Sequence, residues 1–160
     1  MRTYVYLDDQ PGVWFFSLDC DSAAAVFGAR TLYHLPYFNA DIELVKTDEG
    51  EEGGVDYSLV RTDDPPAEFE ASWKIGKRLP RSEPGSLEFF LTERYCLYAA
   101  HHNQLHRARI FHEPWSLQSA TLLALHSTMI EATGLPQPKG EPLLHYSEEI
   151  AVDIWPLETV

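Results

Sequence analysis

The chain has 160 residues, with 25 acidic against 12 basic side chains and a formal net charge of −13. Such a field repels phosphate backbones, which argues against a nucleic-acid partner. With 44% hydrophobic and 23% charged residues, the composition suits one globular domain spanning 1–160.

No run approaches the roughly 20 apolar residues of a membrane span, and MRTYVYLDD at the start has no apolar signal-peptide core. A cytoplasmic protein without membrane contact is expected. Cys20 and Cys96 are too few for a disulfide framework and lie in apolar runs, so they read as buried free thiols.

Residues 2–7 and 12–20 are aromatic and β-branched, with DDQPG between them, and read as a hairpin. Residues 21–35 read as a helix. Asp21 or Ser22 can accept from its free N–H groups, and Pro36 should end it. Residues 38–47, 54–62 and 68–76 each alternate as strands with one buried face, joined by the turns DEGEEGG and DDPPA.

A loop follows over 76–85. Residues 86–95 suit a short helix capped by Ser86, and YCLYAAH and LHRARIFH form a second hairpin around HNQ. Leu122, Leu125, Met129 and Ala132 recur at helical spacing, which predicts a helix over 119–134 stopped by Gly134. Residues 143–158 read as one long strand. The sum is an α+β protein, mainly β: a curled, mostly antiparallel sheet or barrel with two or three helices.

The sequence has no phosphate-binding glycine loop, no G-x-S-x-G elbow and no cysteine pairs at metal spacing. No cofactor and no metal is expected. His101, His102 and His106 cluster at the second hairpin's tip, where a polar surface turn is favoured over a metal site for want of further ligands.

His112 falls on the less charged face of its strand, beside Pro114 and Trp115. It could line a cavity or be a core histidine held by backbone groups. Arg30 and Arg94 sit in apolar helical segments and need partners, either a carboxylate such as Glu88 or Glu93, or an anionic ligand.

Five blocks in order resemble the YqjF-like family of uncharacterised proteins: RTYV with PGVWFFSLDCDSAAAVFGARTLYHLPYFNA, then GSLEFFLTERYCLY, HEPWSLQSA and LHYSEEIAVDIWP. That family is similar in fold to acetoacetate decarboxylase. The resemblance implies a conical, barrel-like sheet around a small-molecule cavity. The decarboxylase uses a lysine pair after a proline, one lysine forming a Schiff base. Here Pro36 falls on that proline, and Tyr37 and Phe38 fall on the lysines. Schiff-base decarboxylation is therefore not expected.

Members of the family usually carry a segment before RTYV, and since this sequence starts at Met1-Arg2-Thr3, that segment is expected to be missing. The expectation is an open sheet edge covered by homodimerisation or higher self-association.

Three functions remain open. The first is a small-molecule-binding barrel for a small organic acid or carbonyl compound, its pocket lined by Arg30, Tyr33, Tyr37, His112 and Trp115. The second is an enzyme with other chemistry, with Tyr37 or His112 as acid/base on a small carbonyl or carboxylate compound. The third is a structural or interaction protein with a closed pocket.

Overall fold

The computed structural model describes residues 1–47 and 53–160. Most of the expected DEGEEGG turn lies outside the described residues. Along the chain come β1 (Arg2–Leu7), β2 (Gln10–Phe15), β3 (Leu18–Cys20), α1 (Ala23–Tyr33), β4 (Tyr37–Thr47), β5 (Gly54–Arg61) and β6 (Glu68–Arg78). Then follow α2 (Leu87–Thr92), β7 (Cys96–His101), β8 (Gln104–Phe111), β9 (Gln118–Ser127), α3 (Met129–Ala132), β10 (His145–Tyr146), β11 (Asp153–Ile154) and β12 (Glu158–Thr159). The protein is α+β and mainly β, with strongly curled sheets that form a half-barrel.

The first sheet runs β1-β2-β7-β8-β11, with β12 also on β8. Both of its tight hairpins turn on residue pairs with positive φ. These are Asp8 (47°) with Asp9 (61°), and His102 (49°) with Asn103 (61°), backbone that matches the strands' right-handed twist. Strand β2 runs parallel to β7. Gly12 makes that closeness possible, because a Cβ there would lie 2.5 Å from the Tyr98 ring.

The second sheet runs β10-β9-β6-β5-β4-β3. Its β3 and β4 are parallel, with Leu18 opposite Tyr37, and α1 lies between them in the chain. Apart from these two parallel pairs, the ladders among the described residues are antiparallel, in line with the mostly antiparallel sheet expected.

Helix α1 forms as its ends predict. Ser22 Oγ accepts from Ala25 N–H at 3.3 Å. At the other end His34 takes the left-handed conformation and donates its N–H to Ala29, one residue short of the Leu35-Pro36 stop. Ser86 Oγ caps α2 in the same way, at 3.1 Å from Phe89 N.

Three expectations need correction. Residues 12–20 are two strands in different sheets, with Phe16 and Ser17 both donating to the Met1 carbonyl where the chain crosses.

The helix expected over 119–134 is strand β9 followed by the four-residue α3. Its helical spacing comes from a β-bulge. Ala124 opposes Ser72 and Leu122 opposes Trp73, so Leu123 is an extra residue. That insertion resets the two-residue alternation and puts Leu122 and Leu125, three apart, on one face.

The long strand expected over 143–158 is three two-residue ladders. Strand β10 joins the second sheet, while β11 and β12 join β8 in the first. Pro156 stands between those last two and has no N–H for a ladder.

Two cores result. Val13, Leu35, Leu97, Ala99 and Ala108 form one against the first sheet. Ala40, Leu59, Ala67 and Met129 form the other against the second.

Candidate functional site

Register across the second sheet builds an apolar face from separate strands. Leu44 pairs with Tyr57, Tyr57 with Ala71, Ala71 with Leu125, and Trp73 with Leu122. Paired residues point to the same side, so these side chains meet on one surface.

They line a cavity of about 590 Å³ with Phe69, Ala120 and Trp115, under a rim of Pro142 and Leu144–Glu148. A second cavity of about 770 Å³ shares Tyr57, Phe69, Leu125 and Pro142 with the first and continues beneath Gln137–Pro142. Together they make one trough across β5, β6 and β9.

Lys46, Glu148 and Asp19 at this trough are held in pairs. Lys46 Nζ is 3.0 Å from Glu148 Oε1, and that hydrogen bond, followed by the nearby Tyr146, pushes the lysine pKa up. His145 Nε2 lies 3.7 Å from Glu88 Oε1. Asp19, on the wall of the second cavity, is bound by Arg61. Burial, then the charges of Asp19 and Asp21, raises the Tyr57 pKa.

Of the five residues proposed from sequence, Trp115 lines the trough. Arg30 binds Asp63 (Nη2–Oδ2 2.6 Å) and donates from Nε to the Tyr37 carbonyl at 2.6 Å. The Asp63 carboxylate also accepts from Asn39 N at 2.9 Å. That bond, then the Asn39 side chain and Arg30, holds its pKa below the usual carboxylate value. Tyr33 and Tyr37 pack against the first core, and burial, then Cys20, raises the Tyr37 pKa.

His112 is 5% exposed. Its Nδ1 is 2.9 Å from the Glu113 carbonyl and its Nε2 3.3 Å from that of Arg94. It stacks on Tyr95 and meets Trp115 edge-on. This is the arrangement of a core histidine held by backbone groups.

Arg94 does not take either carboxylate considered for it. Its Nη1 donates to the Glu93 carbonyl at 2.9 Å, its guanidinium lies over Phe90 and Tyr4, and its Nε is buried without a partner. The Glu93 carboxylate instead accepts from Tyr95 Oη, from Thr92 Oγ1 at 3.3 Å and from Trp115 N at 3.4 Å. Phe38 lies under the Arg61 guanidinium, 4.0 Å from ring centre to Cζ.

At the hairpin tip, His34 from the end of α1 stacks on His101 at 3.8 Å, with His106 at 5.6 Å. Among the described residues, no group of three or more His, Cys, Asp or Glu is arranged to hold a metal ion. No helix among them is long and apolar enough to cross a membrane.

Sequence reasoning missed Tyr57, Phe69, Trp73 and Leu122 as site residues. The signal was the alternation in VDYSLV and EFEASWKIG, whose buried faces turn out to be the trough's floor.

The family model DUF2071, described as "Uncharacterized conserved protein (COG2071)", matches residues 1–151. The "Uncharacterized protein YqjF" of Bacillus subtilis (strain 168) is 41% identical over 157 residues, which are 98% of this chain and 63% of the relative. The chain thus spans less than two thirds of that relative's length. Both findings agree with the resemblance drawn from the five sequence blocks: the chain belongs to the DUF2071 family.

Proposed function

We propose that the protein binds a small molecule in the trough of the second sheet and does not act as a Schiff-base decarboxylase. The observation that carries this reading is the 590 Å³ cavity with aromatic and aliphatic walls. Ligand sites usually have roughly 300–1,000 Å³ and mostly apolar walls with a few polar groups.

The likeness to acetoacetate decarboxylase supports a cavity-bearing sheet as well. It would set the reactive position at Tyr37 and Phe38, which carry no amine. Both residues pack outside the trough's lining. Acid/base chemistry by Tyr37 with His112 is less favoured, since neither lines the trough and His112 is held by two carbonyls.

The test is a thermal-shift screen of uncharged and acidic small molecules against the protein and an Ala120→Phe variant. Ala120 lines the cavity, so a phenyl ring there takes up part of its volume. Ligands should raise the melting temperature of the protein and raise that of the variant less. If no ligand class stabilises the protein, the reading fails.

A further inference from the structure

We infer that the ligand of this trough is an uncharged, elongated and largely apolar molecule, rather than a small organic acid. The inference rests on the small-molecule reading above and sets the chemical class of the ligand.

The first ground is charge. An anion in an apolar site needs a free cation, because an unpaired buried carboxylate is strongly disfavoured. The arginines that could serve are committed elsewhere. Arg30 is on Asp63, Arg61 is on Asp19, and Arg94 lies between Tyr4 and Phe90. None of the three lines either cavity.

Lys46 lines the first cavity, but Glu148 neutralises it. The wall of the second cavity carries Lys139 and the Met1 amino group together with Glu141 and Asp19, so its formal charges cancel. The net charge of −13 adds a field that opposes anions further.

The second ground is shape. A cavity of roughly 150 Å³ suffices for benzene, and the first cavity alone has about 590 Å³. It adjoins the second along Tyr57, Phe69, Leu125 and Pro142. A three- or four-carbon acid would leave most of that apolar wall uncovered. A fused-ring, biaryl or medium-chain body would cover it.

The third ground is the polar fittings. Trp115 Nε1 and Ser147 Oγ are buried without hydrogen-bond partners, and both residues belong to the cavity wall. Both are neutral and closed off from solvent, so neither supplies a charge for a carboxylate.

The experiment compares matched pairs that differ only in head-group charge: naphthylmethanol with naphthoate, biphenylmethanol with biphenylcarboxylate, and decanol with decanoate. Affinities are measured by calorimetry at physiological ionic strength, on the protein and on Ala120→Phe and Glu148→Gln variants. The neutral member should bind at least about tenfold tighter wherever binding is seen, as expected for the cost of burying an unpaired carboxylate. Ala120→Phe should weaken that binding at least about fivefold by narrowing the cavity.

Glu148→Gln frees Lys46 and should narrow the preference by up to about fivefold, the scale of an exposed ion pair. A carboxylate that binds as well as its alcohol, or binding left unchanged in Ala120→Phe, overturns the inference while leaving a small-molecule role standing. If none of the six compounds binds, the small-molecule reading itself falls.

Discussion

Arg61 grips Asp19 with two hydrogen bonds, Nε–Oδ1 at 2.6 Å and Nη2–Oδ2 at 3.1 Å, and the side chains are 1% and 3% exposed. The pair ties β3 to β5, strands that are not neighbours in the sheet. Arg61 also donates to the Pro65 carbonyl at 3.2 Å and covers the Phe38 ring. Removing one partner leaves a buried charge without its counter-ion. Arg61→Met should cost about 3–5 kcal/mol in urea unfolding, and the double change with Asp19→Leu should recover most of it. A double variant no more stable than the single one would contradict this account.

The Arg30–Asp63 pair, by contrast, is at the surface, and Asp63 gains most from Asn39. Its carboxyl pKa is lowered in the fold, so the ionised form is the one the fold favours. The stabilisation is full above the unfolded value near 3.9 and is lost as pH falls through the lower folded value. Wild type and Asp63→Asn should therefore differ in stability at neutral pH and converge in strong acid. Chemical unfolding at a series of pH values measures this. A difference that grows on acidification would refute it.

The helix boundaries could be read from local chemistry, since Ser22, Ser86 and the Leu35-Pro36 step act within a few residues. The floor strands were legible too, because alternation in β5 and β6 is a local pattern. The trough was not. Its residues come from β4, β5, β6 and β9, and only cross-strand register brings them together. The family resemblance instead drew attention to 30–38, where Arg30, Tyr33 and Tyr37 serve the α1–β4 junction and the first core.

Tyr95 lies against Glu93 and His112. Burial, then the hydrogen bond and charge of Glu93, pushes its pKa from 10.0 up to about 12. Tyr98 rises to about 12 as well, through burial and then Cys96. A raised phenol favours the fold fully below the unfolded value and loses that effect as pH climbs through the folded one. Spectrophotometric titration should show two late tyrosines. Tyr95→Phe should remove one, and Glu93→Gln should move one toward the ordinary value. Titration of every tyrosine in a single step near pH 10 would refute this.

The bulge in β9 gives the sharpest test of the site's architecture. Leu123 is unpaired in the ladder and 58% exposed, so little packing depends on it. Deleting it leaves Ala120, Leu122 and the former Leu125 at two-residue intervals, still on the trough face. Deleting Thr121, two residues away, instead makes Ala120 and Leu122 adjacent and turns them to opposite faces. The Leu123 deletion should keep cooperative unfolding and whatever ligand binding the protein has. The Thr121 deletion should lose binding and unfold at lower denaturant. Thr121 pairs with Lys74 on the neighbouring strand, so the two deletions lie in the same ladder and differ in how they reset the alternation. Equal damage from both would mean that β9 does not set the trough's floor by this register.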